Sequence, residues 1–332
     1  METEMHRDNT IDILRALAIL SIILAHSGPT EALFELRNFD VTMMAFLMGA
    51  SFYLSSQKHA RLNYKSYVKK RFNRLIVPSW IFTCFFFILF FIISVLASDK
   101  FYFSITHVLQ SFTLLQGVSY MWILAVFFIV SLCSPLLLYI SNKIQSNFYY
   151  FCLLVLGYIT YSFLLSVNDS ISHELLQNYF QSYVLNGLGY SLVAAVGIRI
   201  YKLKKKNLIY FSGLFGMIFI VLAFYHGFES TQSFKYPPEI YYLSYGLFVS
   251  ILLFYLLNFI KVEELFNLRL IHWLSKYSLT LYLYHTIPLY ILRFFGNELE
   301  WIDTYFITRF SYLLFISILF VSAHNHLKAI IK

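Results

Sequence analysis

Arg15 and His26 lie eleven residues apart in the apolar run 11-IDILRALAILSIILAHSGP-29. At about 100° per residue that offset returns to within about 20° of the same helix face after three turns. A guanidinium and an imidazole then share one stripe, about 16 Å apart along the axis at roughly 1.5 Å per residue. An imidazole titrates near neutrality, so His26 suits proton transfer or nucleophilic attack, and Arg15 adds a permanent positive charge. The plainer reading is anchoring: Arg15 snorkels to one interface, and His26 marks the other just before the helix ends at Gly28-Pro29. Farther on, 64-YKSYVKKRFNRLIVPSW-80 sets Arg71 and Arg74 one turn apart. Paired guanidinium groups grip phosphate with several donors at once, although basic residues there also serve membrane orientation alone. His285, in 275-SKYSLTLYLYHTIPLY-290, stands just ahead of Pro288, whose ring opens the helix hydrogen-bond ladder. It either handles protons or substrate, or packs with a hydrogen bond. Arg309, about two turns into the last apolar run, has Asp303 or a bound anion as its natural partner, or snorkels outward.

These residues must be positioned by elements that the composition already restricts. The chain has 332 residues, of which 59% are hydrophobic, 20% aromatic and 13% charged, and its mean hydropathy is +0.66. A soluble domain carries roughly 25% charge, so a water-facing globule is excluded and a bundle facing lipid is implied. Apolar segments recur about ten times, near 11–27, 41–56, 76–97, 119–141, 148–166, 179–201, 208–226, 240–260, 277–295 and 303–323, each close to the length that crosses a bilayer as a helix. Continuously apolar runs of this length exclude the alternating strands of a barrel. The expected fold is all-α: a polytopic membrane bundle of about ten helices, forming one transmembrane domain over 1–332 with no soluble domain appended.

The net charge of +8 reads as topology rather than nucleic-acid binding. The basic residues cluster in short stretches between apolar segments, notably 58-KHARLNYKSYVKKRFNR-74 and 202-KLKKK-206. With the N-terminus in the cytoplasm, all of the Lys and Arg except Arg37, Lys100, Lys235, Arg293 and Arg309 fall in or beside cytoplasmic segments. Both termini are therefore expected inside. Lys204, Lys205 and Lys206 read as orientation residues. Cys84, Cys133 and Cys152 all lie in apolar runs, are expected to be buried, and suggest neither a disulfide framework nor a metal cluster. No GxxxxGK[ST], HExxH or GxSxG motif occurs, and no Asp-rich pair suggests a metal-dependent phosphotransferase.

The chain resembles acyltransferase family 3, the bacterial membrane acyltransferases that place acetyl or related groups on surface polysaccharides. Arg15, ten residues and then His26 carry the resemblance, with 46-FLMGASFYL-54, 67-YVKKRFNRLIVP-78, 120-YMWIL-124, 236-YPPEIYYLSYG-246 and 278-SLTLYLYH-285, in family order over essentially the whole chain. Met48-Gly49-Ala50-Ser51 departs from the family's usual Phe-x-x-Ser-Gly stretch, a difference of helix packing rather than of residues assigned to chemistry.

The resemblance implies an acetyl-CoA donor from the cytoplasm, no metal, and an acceptor hydroxyl on a cell-surface or lipid-linked glycan beyond the membrane, here the bacterial cytoplasmic membrane. It makes His26 the catalyst, as base or as acylated nucleophile. Arg15 would hold the donor or stabilise developing charge, and Arg71 with Arg74 would bind the CoA phosphates. Asp12, His285 and Arg309 are secondary candidates for substrate contact. The main competing class is a transporter or flippase for a lipid-linked sugar or small anion. Such proteins often show internal repeats or paired broken helices, which are not found here. A glycan polymerase or ligase would carry a large outer loop, and the longest here is only about twenty residues.

Overall fold

In hydrocarbon every backbone N–H and C=O has to find a partner within the protein, and long apolar runs solve this by becoming helices. A computed structural model describes residues 8–57, 63–114, 117–118, 121–259 and 268–330. Among the described residues no strand forms; Lys235 and Pro238 make a single bridge. The helices used below are α1 (Asn9–Ala25), α2 (Glu31–Leu36), α3 (Asp40–Ser56), α4 (Tyr64–Leu96), α5 (Ile105–Thr113), α6 (Trp122–Lys143), α7 (Asn147–Asp169), α8 (Glu174–Tyr179), α9 (Asn186–Arg199), α10 (Lys205–Tyr225), α11 (Ile240–Leu257), α12 (Leu268–Lys276), α13 (Ser278–Tyr284), α14 (Thr286–Phe295), α15 (Glu300–Asp303) and α16 (Phe306–Ile330). A π-helical turn, Phe180–Leu185, joins α8 to α9. The chain divides into two compact units: Met1–Leu47 with Leu203–Ser233 and Tyr241–Lys332, and Met48–Lys202 with Phe234–Ile240.

Among the described residues, seven helices are long and apolar enough to cross a membrane: α4, α6, α7, the run Glu174–Lys202, α10, α11 and α16. They coincide with seven of the ten expected spans. The first two expected spans are α1 and α3, of 17 residues each, or about 25 Å at 1.5 Å per residue. The ninth is broken at His285 into α13 and α14. Residues 119, 120 and 260 of the expected spans, the basic residues Lys58 and Arg61, and both chain ends lie outside the described residues.

In the first unit α1 packs against α12, α13 and α16. Asp8 caps its start by accepting the Ile11 N–H at 3.2 Å, and Leu14, Ala18, Ile19, Ile22 and Ile23 are buried along it. In the second unit α6 packs against α9 and α4. On α4, Phe82, Phe86 and Phe90 are buried at four-residue spacing while Ile81, Ile88, Ile92 and Val95 are exposed, a distribution stable only with lipid as solvent. Gly49 lets α3 meet α9 at backbone distance: a Cβ there would fall on the Ala194 carbonyl. The stretch Met48-Gly49-Ala50-Ser51 thus contains a packing position.

Three sequence expectations change. α4 starts at Tyr64 rather than near 76, because its polar first turns carry no hydropathy signal, so Arg71 and Arg74 stand on the helix itself. Arg309 lies in the first turn of α16 rather than two turns in, since the chain turns at α15 before the helix begins. Cys84 and Cys152 are exposed and Cys133 is partly so; an apolar neighbourhood in sequence marks lipid-facing positions as readily as core ones.

Candidate active site

His26 sits at the end of α1, where its backbone N–H still reaches the Ile23 carbonyl at 3.1 Å. Ser27 closes the last turn by donating its hydroxyl to the Leu24 carbonyl at 2.7 Å. Gly28 then reverses the chain at φ +65°, a left-handed conformation that glycine adopts without strain. The imidazole is thus held at a helix end, partly exposed.

The break at His285 supplies its partner. Pro288 has no N–H and falls in the first turn of α14, where none is needed. The carbonyls at the end of α13 are taken up by side chains: Thr286 Oγ1 donates to the Leu283 carbonyl at 2.7 Å, and His285 Nδ1 donates to the Tyr282 carbonyl. His285 is fully buried at 0% exposure. Its Nε2 lies 3.0 Å from His26 Nδ1, with the two rings nearly parallel at 12°.

These contacts fix the protons. A carbonyl oxygen only accepts, so His285 Nδ1 carries the hydrogen and, in the neutral ring, Nε2 is an acceptor. His26 Nδ1 must then donate to it. The neutral His26 ring is left with Nε2 as its basic nitrogen, the form a general base or nucleophile requires. The arrangement has the logic of a base oriented by a second group.

At the other end of α1, Asp12 is buried, 4% exposed, and accepts the Ser275 hydroxyl at 2.5 Å. Arg15 Nη1 donates to Ser275 Oγ at 3.1 Å and stands 3.6 Å from Asp12 Oδ1. His272 Nε2 is 3.0 Å from Asn9 Oδ1 and 3.8 Å from Asp12 Oδ2. Asp12 and Ser275 therefore orient a guanidinium whose side chain is still 26% exposed. Asp12 is a support for Arg15, and Ser275 and His272, which the sequence reading did not single out, join the site.

Arg309 Nη1 pairs with Asp303 Oδ1 at 2.9 Å, as its sequence position suggested. In the second unit, Arg71 lies over the Tyr67 ring, 5.0 Å from its centroid, and among the described residues neither Arg71 nor Arg74 forms an ion pair. Sequence reasoning also missed a buried lock in the first unit. Arg37 pairs with Asp40 at 3.0 Å, Asn38 donates to Thr231 Oγ1 at 2.7 Å, and Glu35 accepts the Ser230 hydroxyl at 2.5 Å. This lock ties the turn between α2 and α3 to residues 230–231. Among the described residues no group of three His, Cys, Asp or Glu stands together as a metal site.

Apolar helices exposed to lipid, with ionisable side chains gathered at both ends of a short helix, define an all-α polytopic membrane protein whose polar site is built into the bundle. The chain belongs to acyltransferase family 3: the family's acyltransferase-domain model matches residues 8–323. It is a multi-pass membrane acyltransferase. No curated protein and no solved structure matches it.

Proposed function

We propose that this acyltransferase moves an acetyl group from cytoplasmic acetyl-CoA to a hydroxyl of a cell-surface or lipid-linked glycan on the opposite side of the bacterial cytoplasmic membrane, with both chain termini in the cytoplasm and one catalytic domain over 1–332. The observation that carries this reading is the oriented pair of imidazoles, in which the Tyr282 carbonyl and His285 leave His26 Nε2 basic. In direct transfer, Nε2 takes the proton of the sugar hydroxyl as its oxygen bonds to the thioester carbon. The C–S bond then breaks, and the proton goes to the departing CoA thiolate. In the acyl-histidine variant the same nitrogen bonds to the thioester carbon first and the C–S bond breaks to release the CoA thiolate; the sugar hydroxyl then attacks the acyl carbon, the C–N bond breaks, and the hydroxyl proton goes to the thiolate. Imidazolium formed at His26 in direct transfer is stabilised by His285 through the shared hydrogen bond.

Arg15, oriented by Asp12 and Ser275, supplies positive charge for the donor or for charge developing on the carbonyl oxygen. Arg71 and Arg74, two guanidinium groups on one helix face with no carboxylate of their own among the described residues, suit the phosphates of CoA.

Purified protein given radiolabelled acetyl-CoA and membrane glycolipid is expected to release CoA and label the glycolipid, and deletion of the gene should remove an acyl ester from the cell's surface glycan. Replacing Arg71 and Arg74 by Ala should raise the KM for acetyl-CoA about tenfold or more, whereas replacing Lys204, Lys205 and Lys206 should leave it unchanged. A protein that neither binds nor turns over acetyl-CoA would end the proposal, and equal effects from the two basic clusters would remove the phosphate site from it.

A further inference from the structure

Arg309 is the fourth residue of α16, and its guanidinium stands over the turn that ends α1. Its Nη1 is 3.8 Å from where a Cβ on Gly28 would lie, two residues beyond His26. α16 packs against α1, α13 and α14, the helices that hold His26 and His285, so this cation is placed relative to the imidazole pair by helix backbone rather than by a loop. Asp303 is the one carboxylate paired with it among the described residues, and it meets only the Nη1 edge. The Arg309 side chain is 28% exposed and that of Asp303 39%, while Arg309 Nε is buried with no hydrogen-bond partner. An ion pair this open to water is weak and screened, and a guanidinium has five donors to offer.

The buried Arg199 shows what a purely structural arginine looks like in the same chain: its donors go to the Asn147 side chain and to three backbone carbonyls. Arg309 is a cation fixed beside the catalytic turn with most of its hydrogen-bonding capacity uncommitted. Its exposure suits a group that arrives already charged from water, rather than charge that develops in a closed site.

We propose that Arg309 is an oxyanion subsite for the acceptor, binding a phosphate or carboxylate that the glycan carries close to the hydroxyl to be acylated. The acceptor is therefore an acidic or phosphate-linked sugar rather than a neutral one. This inference rests on the acyl-transfer reading above. Asp303 takes one of the two Nη1 hydrogens, and the absence of a side chain at Gly28 leaves space beside the other, since a Cβ there would already touch Nη1.

The test uses the full chain in phosphatidylcholine nanodiscs with radiolabelled acetyl-CoA and glycolipid extracted from the cell's own membranes. The labelled product is expected to bind an anion exchanger, and mild acid cleavage of the lipid linkage distinguishes a sugar-borne acid from a linking phosphate. Arg309→Gln should raise the KM for the glycolipid about tenfold or more with a smaller change in kcat, and Arg309→Lys should recover part of it, since lysine keeps the charge but loses the fork. A neutral labelled product, or an unchanged KM in Arg309→Gln, overturns the subsite and leaves acyl transfer standing. If phosphatidylglycerol in the nanodisc raises the KM of the wild type but not of Arg309→Gln, the oxyanion is a bulk lipid headgroup and the acceptor assignment falls. No labelled product at all overturns the acyl-transfer reading itself.

Discussion

Arg199 and Arg15 are both helical arginines in apolar sequence, and they are handled in opposite ways. In the second unit Arg199 is 1% exposed. Its guanidinium donates to Asn147 Oδ1 at 2.7 Å and to the carbonyls of Ser141, Ile144 and Gln145 at 2.6, 2.9 and 2.7 Å, and it lies 4.9 Å from the Tyr150 ring centroid. These oxygens belong to the end of α6 and the turn into α7, where carbonyls lack helical partners, so the charge is spent on closing a corner. In the first unit Arg15 is 26% exposed and is steered by side chains, Ser275 and Asp12. Donors given mostly to backbone carbonyls mark an arginine that builds the protein. Side chains that steer a guanidinium still open to solvent mark an arginine that is aimed.

The sharpest break between the two regions comes from His26. His26→Ala should insert normally and lose about 10²- to 10⁴-fold in acyl transfer, measured as labelled acetyl moved per folded molecule; near-normal transfer by well-expressed protein would remove the catalytic role from the first unit. Next in size is Arg199→Ala, which strands several carbonyls and should lower stability by on the order of 3 kcal/mol. Thermal unfolding in detergent reads that loss, and the surviving folded fraction should keep its rate. Arg15→Ala should do the reverse, keeping the folded fraction and lowering the rate. If both arginines change the same quantity, Arg15 and Arg199 do not differ in role. The smallest effect belongs to His285: His285→Phe should lower kcat about five- to tenfold with little change in KM, because it removes the acceptor that orients His26. His285→Gln, whose side-chain oxygen can accept from His26 Nδ1, should recover part of the rate. Equal kcat in Phe and Gln variants would reduce His285 to packing.

Much of the bundle is legible in sequence because hydrocarbon imposes a strict length and polarity on whatever crosses it. The stripe from Arg15 to His26 follows from helical periodicity alone. The partnership of His26 with His285 does not, since 259 residues separate them and only tertiary packing joins them. Pro288 signals a broken helix, but not which carbonyl the break would offer to His285. Ser275 and His272 are three residues apart on an amphipathic helix, a signal of a polar face without a signal of what it faces. Arg199 reads as one more cytoplasmic positive charge, because the count of basic residues that fixes orientation carries no information about burial.

The imidazole relay ends on the Tyr282 peptide oxygen. Such an oxygen takes a hydrogen bond but is far too weakly basic to take the proton itself, whereas a carboxylate in its place would extend the relay by one more proton carrier. The pair can therefore accommodate a proton received at His26 and return it, without handing it onward through this chain of contacts. Through these contacts the imidazole pair is a dead end for a proton rather than a wire across the bundle.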